Sequence, residues 1–340
     1  MAELSPGTVI GQVRLIAPIG QGSMGVVWKA HHMSLDLPVA VKVLRSFDLA
    51  DSHRYRERLH REAQLAARLN HPGIVRVLDY IDHPEHPCLV MELVEGTTLD
   101  AYLRHRGPLS ERTALLVGFH LAGALTAAHE AGILHRDIKP ANILVANDST
   151  LKLSDLGLAR PLADSSLTDH RNVMGTPLFM APELFTRSSE PDVRTDLYSL
   201  GIVLYQLMAG APPFKRSTAQ AIHGHLHVAP DLSPIPEGSR QILSTMLEKE
   251  PVRRVPSARI LREMLRARVV QIDSERQGRS GTGGSSKVRG SDSRLLERLE
   301  KSLSSESVAD GSRIVHTTAR ERILVGALLA VLFVLALGLW

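Results

Sequence analysis

The residues best suited to chemistry form a short run near the middle of the chain. His135, Arg136 and Asp137 are followed by Lys139 and Asn142. Carboxylate, amide, ammonium and imidazole groups lie close together in this run. A further acidic residue stands in the sequence DLG, which begins at position 155. This run is therefore the first candidate for a reactive site.

A glycine-rich stretch, GQGSMGVV, runs from Gly20 to Val27. A lone GxGxxG is weak evidence, because it also opens dinucleotide-binding folds, where a helix follows directly. Here Val27 and Trp28 continue as a strand, which favours a glycine hairpin over nucleotide phosphates, with an ordinary hairpin turn as the alternative.

Lys42, in the sequence VAVKVL, is a further candidate for binding phosphate. A lysine inside an apolar strand is costly to bury unless it is paired. Glu62, on a predicted helix over 52–70 whose apolar residues recur at helical spacing, is the expected partner. Such a pair would place the lysine on the α/β-phosphates, whereas two unrelated solvated charges are the alternative.

The elements that must position these residues fall into two groups. Short alternating segments between positions 9 and 94 predict strands around glycine turns. Longer apolar periods predict helices over 111–131, 195–209, 241–248 and 256–270. A small strand-rich lobe therefore precedes a larger helical lobe.

GQGSMGVV, VAVKVL, HRDIKPAN and DLG occur in the order of the protein-kinase signature set. Over about 9–270 the chain resembles the eukaryotic-type (Hanks-type) serine/threonine protein kinases, most of all the bacterial branch in which a linker and one membrane helix follow the kinase domain. The resemblance implies an α+β, bilobal protein kinase fold over 9–271, with lobes of about 9–94 and 95–271. It implies ATP and Mg²⁺ as cofactors, with Mn²⁺ as a substitute metal.

Roles follow from the resemblance, position by position. Asp137 is expected to accept the proton of the attacking hydroxyl or to orient it, and Lys139 to steady the γ-phosphoryl group. Asn142 and Asp155 are the expected metal ligands. The expected ATP-binding residues are Ile19, Gly20, Gly22, Gly25, Val27, Ala40, Lys42, Glu62, Met91, Glu92, Val94 and Leu144.

One residue departs from the family pattern, and two others match its structural supports. Leu156 replaces the usual phenylalanine after Asp155, so it keeps the apolar contact but not the aromatic shape. Glu183 in APE is expected to pair with Arg254, and Asp196 to hold the backbone of the catalytic loop.

Lys139 in DIKPAN and Thr176 in GTPLFMAPE match the serine/threonine pattern rather than the tyrosine one. Thr176 is expected to contact the catalytic residues. Thr168 is the leading candidate for activating autophosphorylation, with its phosphate held by Arg136, because a phosphate brings charge and strong acceptors. Ser165 and Ser166 are further candidate phosphosites. The alternative is an ordinary polar loop.

Charge and hydropathy predict a membrane attachment. Residues 253–322 carry 16 Lys/Arg and 9 Asp/Glu, whereas the whole chain has a net charge of +4. Positions 272–322 read as a flexible basic juxtamembrane linker. Positions 323–340 form an uncharged apolar run that spans roughly 27 Å as a helix, and arginines precede it. The alternative is a buried core helix.

These patterns predict a single-pass membrane protein with a cytoplasmic kinase domain. The chain would be either tail-anchored or a fragment of a longer receptor. The expected partners are protein Ser/Thr substrates, membrane lipid and a second copy of the kinase for trans-autophosphorylation. Nucleic acid is not expected, because the basic region lacks interleaved aromatic residues. The one cysteine, Cys88, excludes an internal disulfide framework.

Two competing interpretations belong to other classes. A pseudokinase scaffold would lack Lys42, Asp137 or Asp155, and all three are present. A small-molecule kinase of similar fold would lack the long activation loop and the Ala-Pro-Glu segment. A nucleotide-shift assay with and without Mg²⁺, followed by a generic protein substrate, separates these interpretations.

Overall fold

The structure is a computed structural model that describes residues 4–22, 25–44, 52–156, 177–186, 190–214 and 217–280, with Leu299. The chain divides into two compact units, Met1–Ser285 and Ser286–Trp340. All elements named below belong to the first unit.

An antiparallel sheet builds the first lobe. Its strands are β1 Val9–Ile10, β2 Val13–Gly22, β3 Gly25–His32, β4 Leu37–Leu44, β5 Val77–Ile81 and β6 Cys88–Glu92. They lie in the order β1-β2-β3-β4-β6-β5. Val13 and Leu15 are buried while Arg14 and Ile16 are exposed, which is the alternation of a strand with one face on the core. The predicted strand-rich small lobe is confirmed.

One helix, α1 (Ser52–Ala67), packs against β5 of this sheet. Leu59, Ala63 and Ala66 are buried along one face, because residues three and four apart share a side of a helix. Glu62 is half-buried beside this stripe.

Helices dominate the second lobe. Within the described residues they are α2 Leu99–Arg106, α3 Glu111–Glu130, α4 Glu183–Thr186, α5 Val193–Ala209, α6 Thr218–His227, α7 Glu237–Met246 and α8 Ala258–Ser280. Residues 197–205 of α5 are all buried, as expected of a central helix that is packed on every side. α3 packs against both α5 and α8.

A small sheet in the second lobe carries the loops of the catalytic sequence. Its strands are β7 Gly96–Thr98, β8 Ile143–Ala146 and β9 Leu151–Leu153, in that order. Leu153 also forms a parallel bridge with Ile74, which belongs to the first lobe. The HRDIKPAN sequence therefore lies between α3 and β8, and Asp155 follows β9, so this sheet brings the two loops together.

Capping residues set several helix boundaries. Ser110 accepts a hydrogen bond from the backbone N–H of Thr113 at the start of α3, and Asp192 caps α5 in the same way. Ser217 and Gln220 form a reciprocal capping box at α6. At the other end of α5, Gly210 adopts φ 83°, the left-handed conformation in which glycine commonly ends a helix.

The last helix runs further than the predicted range of 256–270. Two ion pairs fasten its final turns to the start of α3. Arg112 holds Asp273 through two bonds of 2.6 and 3.0 Å, and Arg268 lies 3.0 Å from Glu111. These charged contacts join residues far apart in the sequence, so the local pattern did not reveal that the helix continues beyond 270.

The predicted membrane segment, 323–340, lies outside the described residues, as does most of the 272–322 linker. In the part of the chain that the structure describes, no helix has the length and apolar character needed to cross a bilayer.

Candidate active site

A cavity of about 870 Å³ lies between the sheet of the first lobe and the β7–β9 sheet of the second. It collects almost every residue predicted to bind nucleotide, metal or the phosphoryl group. The predicted residues that line it are Ile19, Gly20, Gly22, Gly25, Val27, Ala40, Lys42, Met91, Glu92, Val94, Asp137, Lys139, Asn142, Leu144 and Asp155. Glu62 is the exception, because it does not line the cavity.

The glycine-rich stretch forms a hairpin rather than a strand-to-helix turn. Gly22 pairs with Gly25 at the end of β2 and β3. Gly25 has φ 153°, and a Cβ atom there would lie 1.9 Å from the carbonyl oxygen of Val43. The close approach of β4 therefore requires glycine at this position.

Lys42 makes an ion pair across the cleft. Its Nζ lies 2.7 Å from Oδ1 of Asp155. The long side chain leaves β4 toward the loop after β9, where Asp155 stands. The pairing of Lys42 with Glu62 stays a prediction.

The catalytic loop holds the side chain of Asp137 in a fixed orientation. Lys139 Nζ donates to Asp137 Oδ2 at 2.8 Å, and Asn142 Nδ2 donates to the same oxygen at 2.9 Å. Asn142 Nδ2 also lies 2.9 Å from the carbonyl of Asp137. Three of the predicted residues thus form one hydrogen-bonded unit that faces the cleft.

The oxygen atoms of this unit suit a magnesium ion. The amide nitrogen of Asn142 is directed at Asp137, so its amide oxygen remains for a cation. Asp155 uses Oδ1 for Lys42 and offers its second carboxylate oxygen. One amide and one carboxylate oxygen are the kind of hard donors that Mg²⁺ shares with water and phosphate. Among the described residues, no cluster of three or more His, Cys, Asp or Glu side chains forms a closed metal site.

Asp196, on α5, holds the backbone of the catalytic loop, as predicted. Its two carboxylate oxygens accept the backbone N–H groups of His135 at 2.9 Å and Arg136 at 2.7 Å. His129 Nε2 lies 2.8 Å from the same carboxylate. Burial alone would raise the pKa of Asp196, but His129 and His135 together hold that pKa below its ordinary value. The carboxylate therefore stays ionised in a fully buried position.

Two residues beside the catalytic groups have left-handed backbone. Arg136 has φ 57° and Asp155 has φ 58°. Residues other than glycine, asparagine and aspartate rarely adopt this region. The backbone therefore turns sharply next to Asp137, the predicted base, and at Asp155, a predicted metal ligand.

Glu183 and Arg254 form the predicted ion pair in full burial. Arg254 donates to both carboxylate oxygens at 2.8 and 2.7 Å, and Thr195 donates a third bond at 2.8 Å. The guanidinium also reaches the carbonyls of Glu248, Lys249 and Arg194. The pair ties α4 to the loop before α8.

The adenine end of the cavity is closed by the 92–98 segment. The Glu92 carboxylate contacts Lys152 at 2.7 Å and the backbone N–H of Arg76 at 2.9 Å, and the backbone N–H of Glu92 donates to the carbonyl of Arg76 at 3.0 Å. The predicted contact of the 92–94 backbone with a base edge therefore cannot use the Glu92 N–H. A Cβ atom at Gly96 would lie 2.2 Å from the carbonyl of Val145, so this crossing requires glycine.

Sequence reasoning missed the apolar wall behind Met91. Leu59, Val75, Tyr80 and Leu89 also line the cavity, together with Leu156, which is buried. Burial, and then the charge of Asp82, raises the pKa of Tyr80 to about 12. Only the helical stripe around Leu59 gave a signal for this wall, because the other residues reach it through sheet pairing.

The candidate regulatory residues Thr168, Ser165 and Ser166 lie outside the described residues, as does Thr176. Arg136 is half-buried beside the catalytic loop. The roles assigned to these five residues remain predictions.

This arrangement is the two-lobed protein kinase fold. The chain belongs to the protein kinase domain family, which matches residues 13–265. It is 38% identical over 234 residues to serine/threonine-protein kinase PknH of Mycobacterium bovis, covering 68% of this chain and 38% of that protein. It is 40% identical over 206 residues to PknL of Mycobacterium tuberculosis, covering 61% of this chain and 51% of that protein.

Among solved structures, the chain is similar to the kinase domain of Mycobacterium tuberculosis PknI. The TM-score is 0.65 and the identity 28%, covering 79% of this chain and all of that one. The chain thus spans between about a third and about half of the length of these curated relatives.

Proposed function

We propose that this chain transfers the γ-phosphoryl group of ATP to serine and threonine hydroxyls of proteins. The observation that carries the proposal is the joint position of Asp137, Lys139, Asn142 and the Lys42–Asp155 pair in one cleft. Each of these groups has the chemistry that its step requires, and the relatives named above are serine/threonine-protein kinases.

Each catalytic side chain has a distinct task in this mechanism. Asp137 orients the acceptor hydroxyl and accepts its proton, while Lys139 neutralises charge on the transferred phosphoryl group. Lys42 holds the α/β-phosphates. Mg²⁺, or Mn²⁺ in its place, held by Asn142 and Asp155, would neutralise the charge that builds on the phosphates.

The acceptor protein binds beside the 177–186 segment, which comprises the 3-10 helix Pro177–Phe179 and α4. Lys139 and Thr176 favour serine and threonine over tyrosine. Phosphorylation of Thr168 by a second copy of the chain would add charge that Arg136 can hold. Ser165 and Ser166 are alternative acceptors in the same loop.

The kinase activity is tested by incubating the chain with labelled ATP and Mg²⁺, beside its Asp137→Asn variant. Asp36→Asn is the matched control, because Asp36 is exposed and remote from the cleft. We expect phosphate on serine and threonine only, present in wild type and control and absent from Asp137→Asn. Nucleotide binding without any transfer would instead favour a scaffold.

The autophosphorylation site is tested by Thr168→Ala. We expect slower phosphorylation of an added protein, with loss of the labelled 168 peptide. Unchanged activity would overturn this part of the proposal.

The proposed membrane attachment rests on the charge and hydropathy of 272–340. A cytoplasmic kinase domain attached to anionic lipid through this region would meet other copies in the plane of the bilayer. Leu332→Arg should release the chain from vesicles, because a charge at the centre of a span costs about 3 kcal/mol, whereas Leu332→Phe should not. Equal retention of both variants would contradict the span.

A further inference from the structure

The 177–186 segment rests on a buried histidine whose role the motifs do not define. His225 lies on α6, which packs against the 3-10 helix Pro177–Phe179. Its side chain is fully buried, although His223 and His227 on the same helix are exposed. A fully buried imidazole needs partners for its ring nitrogens.

Four side chains from different parts of the second lobe surround it, and together with His225 they form the His225 cluster. The ring of Phe214 meets the imidazole edge-on at 4.9 Å between centroids. Tyr198 of α5 and Phe185 of α4 lie at 5.7 and 6.1 Å. The fourth member is Lys249, whose Nζ lies 4.6 Å from the Phe214 centroid.

The cluster is closely packed, and Lys249 joins it to the backbone of α6. Lys249 donates to the carbonyl of Gly224 at 3.0 Å, next to His225. Burial, and then the positive charge of Arg254, lowers the pKa of Lys249 to about 8. A Cβ atom at Gly224 would lie 2.6 Å from the Phe214 ring, so glycine is required for the ring to reach α6.

The surroundings keep His225 neutral. Burial and the nearby Lys249 ammonium lower the pKa of His225 to about 4, while the carbonyl of Leu178 opposes that shift. A neutral imidazole has one donor and one acceptor nitrogen. Nδ1 lies 2.9 Å from the hydroxyl of Tyr198. If that hydroxyl donates to Nδ1, the ring proton is on Nε2.

Nε2 is buried and has no hydrogen bond of standard geometry within the described part of the chain. Leu178 lies on the 3-10 helix that packs against α6, and its carbonyl affects the pKa of His225 as a hydrogen-bond acceptor does. A buried donor that lacks a full partner is costly, so an acceptor on this packed helix is the natural partner for Nε2–H. Leu178 belongs to the 3-10 helix beside which the acceptor protein is proposed to bind.

We propose that His225 is a positioning residue for protein substrate, which holds the 177–186 segment through Nε2–H and the Leu178 carbonyl while Nδ1 accepts from Tyr198. The inference rests on the proposed function, because it assigns a role to the same segment. None of the five cluster residues lines the nucleotide cavity. Their effect should therefore fall on the protein acceptor and not on ATP.

The test compares His225→Phe with His223→Phe in the 340-residue chain. Phenylalanine fills the site but has no ring nitrogen, and the exposed His223 gives a matched control on the same helix. The probe is a serine-containing peptide that the wild type phosphorylates. We expect the KM for peptide to rise about tenfold in His225→Phe, the factor that one lost hydrogen bond corresponds to.

Two further readouts separate positioning from general damage. The KM for ATP and the rate of ATP hydrolysis without peptide should stay within about twofold of wild type. Tyr198→Phe, which removes only the hydroxyl, should raise the peptide KM in the same direction by a smaller factor. Equal losses toward ATP and peptide, or no change in either variant, would overturn the inference.

Hydrogen exchange of the 177–186 segment tests the same idea without any activity. We expect about tenfold faster exchange in His225→Phe and wild-type exchange in His223→Phe. Absence of phosphoryl transfer in the wild type would sink the proposed function, whereas unchanged exchange in His225→Phe would sink the positioning role.

Discussion

Two ion pairs in this molecule have the same charges and opposite environments. Lys42 and Asp155 meet at 2.7 Å in the cleft, with 11% and 29% of their side chains exposed. Arg254 and Glu183 meet at 2.7 Å in the second lobe, with 0% and 2% exposed. The cleft pair has one described bond, whereas Arg254 donates to three carbonyls besides its carboxylate partner.

The difference distinguishes an ion pair suited to binding phosphate and metal from an ion pair that stabilises the fold. Lys42 and Asp155 line the cavity and keep free bonding capacity, so each can exchange its partner for phosphate or metal. Glu183 and Arg254 have saturated hydrogen bonds, and any exchange would leave a charge unpaired in the interior. Removing one member of each pair should therefore damage different properties.

The largest effect is expected from Arg254→Ala. It leaves Glu183 charged and buried without its partner, which should lower the free energy of unfolding by about 3–5 kcal/mol. Urea denaturation measures the change. Arg253→Ala is the control, since Arg253 is 67% exposed and pairs only at the surface with Glu250. Equal losses in the two variants would remove the distinction between the pairs.

The cleft pair should show the reverse pattern. Lys42→Met should slow phosphoryl transfer about 100- to 1000-fold, because a positioned charge on the phosphates is lost. The free energy of unfolding should change by less than about 1 kcal/mol, because methionine fills the volume of Lys42 and the carboxylate left behind, Asp155, is 29% exposed. Arg14→Met removes an exposed cation from the same sheet and should keep activity. A large loss of stability in Lys42→Met would contradict this account.

The second lobe should also lose stability in acid, because of His225. The pKa of His225 in the folded state, about 4, lies below its ordinary value of 6.5. Between these values the unfolded chain binds a proton that the folded chain does not, so stability falls as the pH drops from 6.5 to 4. The loss should approach roughly 3 kcal/mol and be absent from His225→Phe.

Denaturation at several pH values measures this slope, and parallel curves for the two proteins would exclude His225 as its source. Lys249 is the charged group that acts on the His225 ring, whereas Arg254 and Glu183 act on the neighbouring Tyr198. Asp196 contributes at lower pH, since its folded pKa lies below the ordinary value and its stabilisation is lost as the pH falls through that pKa.

The smallest effect is expected for a pair at the surface. Arg104 lies 3.1 Å from Asp100 on α2, with 72% and 42% of their side chains exposed. Arg104→Ala should lower the free energy of unfolding by less than about 0.5 kcal/mol. Calorimetry at low and high salt measures it, and a larger effect would show that burial is not what separates the two main pairs.

The sequence was sufficient to predict the two lobes and most of the cavity. Lys42, Asp137, Asn142 and Asp155 stand in short motifs, and each motif lies in one loop or strand. The Glu183–Arg254 pair and the support by Asp196 were predicted through family resemblance, because both are non-local.

Contacts between distant segments set the limit of prediction. The Lys42–Asp155 pair joins residues from two lobes, so no local pattern indicated it. The continuation of α8 beyond 270 accompanies the pairing of Arg112 with Asp273, and the burial of His225 depends on rings from α4, α5 and the segment before α6. No periodicity within one segment carries such information.

The left-handed backbone of Asp155 has a consequence for mutational tolerance. Only glycine, asparagine and aspartate adopt φ near 58° readily, so the shape of the chain and the need for a metal-binding oxygen restrict this position independently. A saturation library should therefore divide into three groups. Asparagine and glycine would keep the fold and lose turnover, β-branched residues would lose both, and aspartate alone would satisfy the two selections at once.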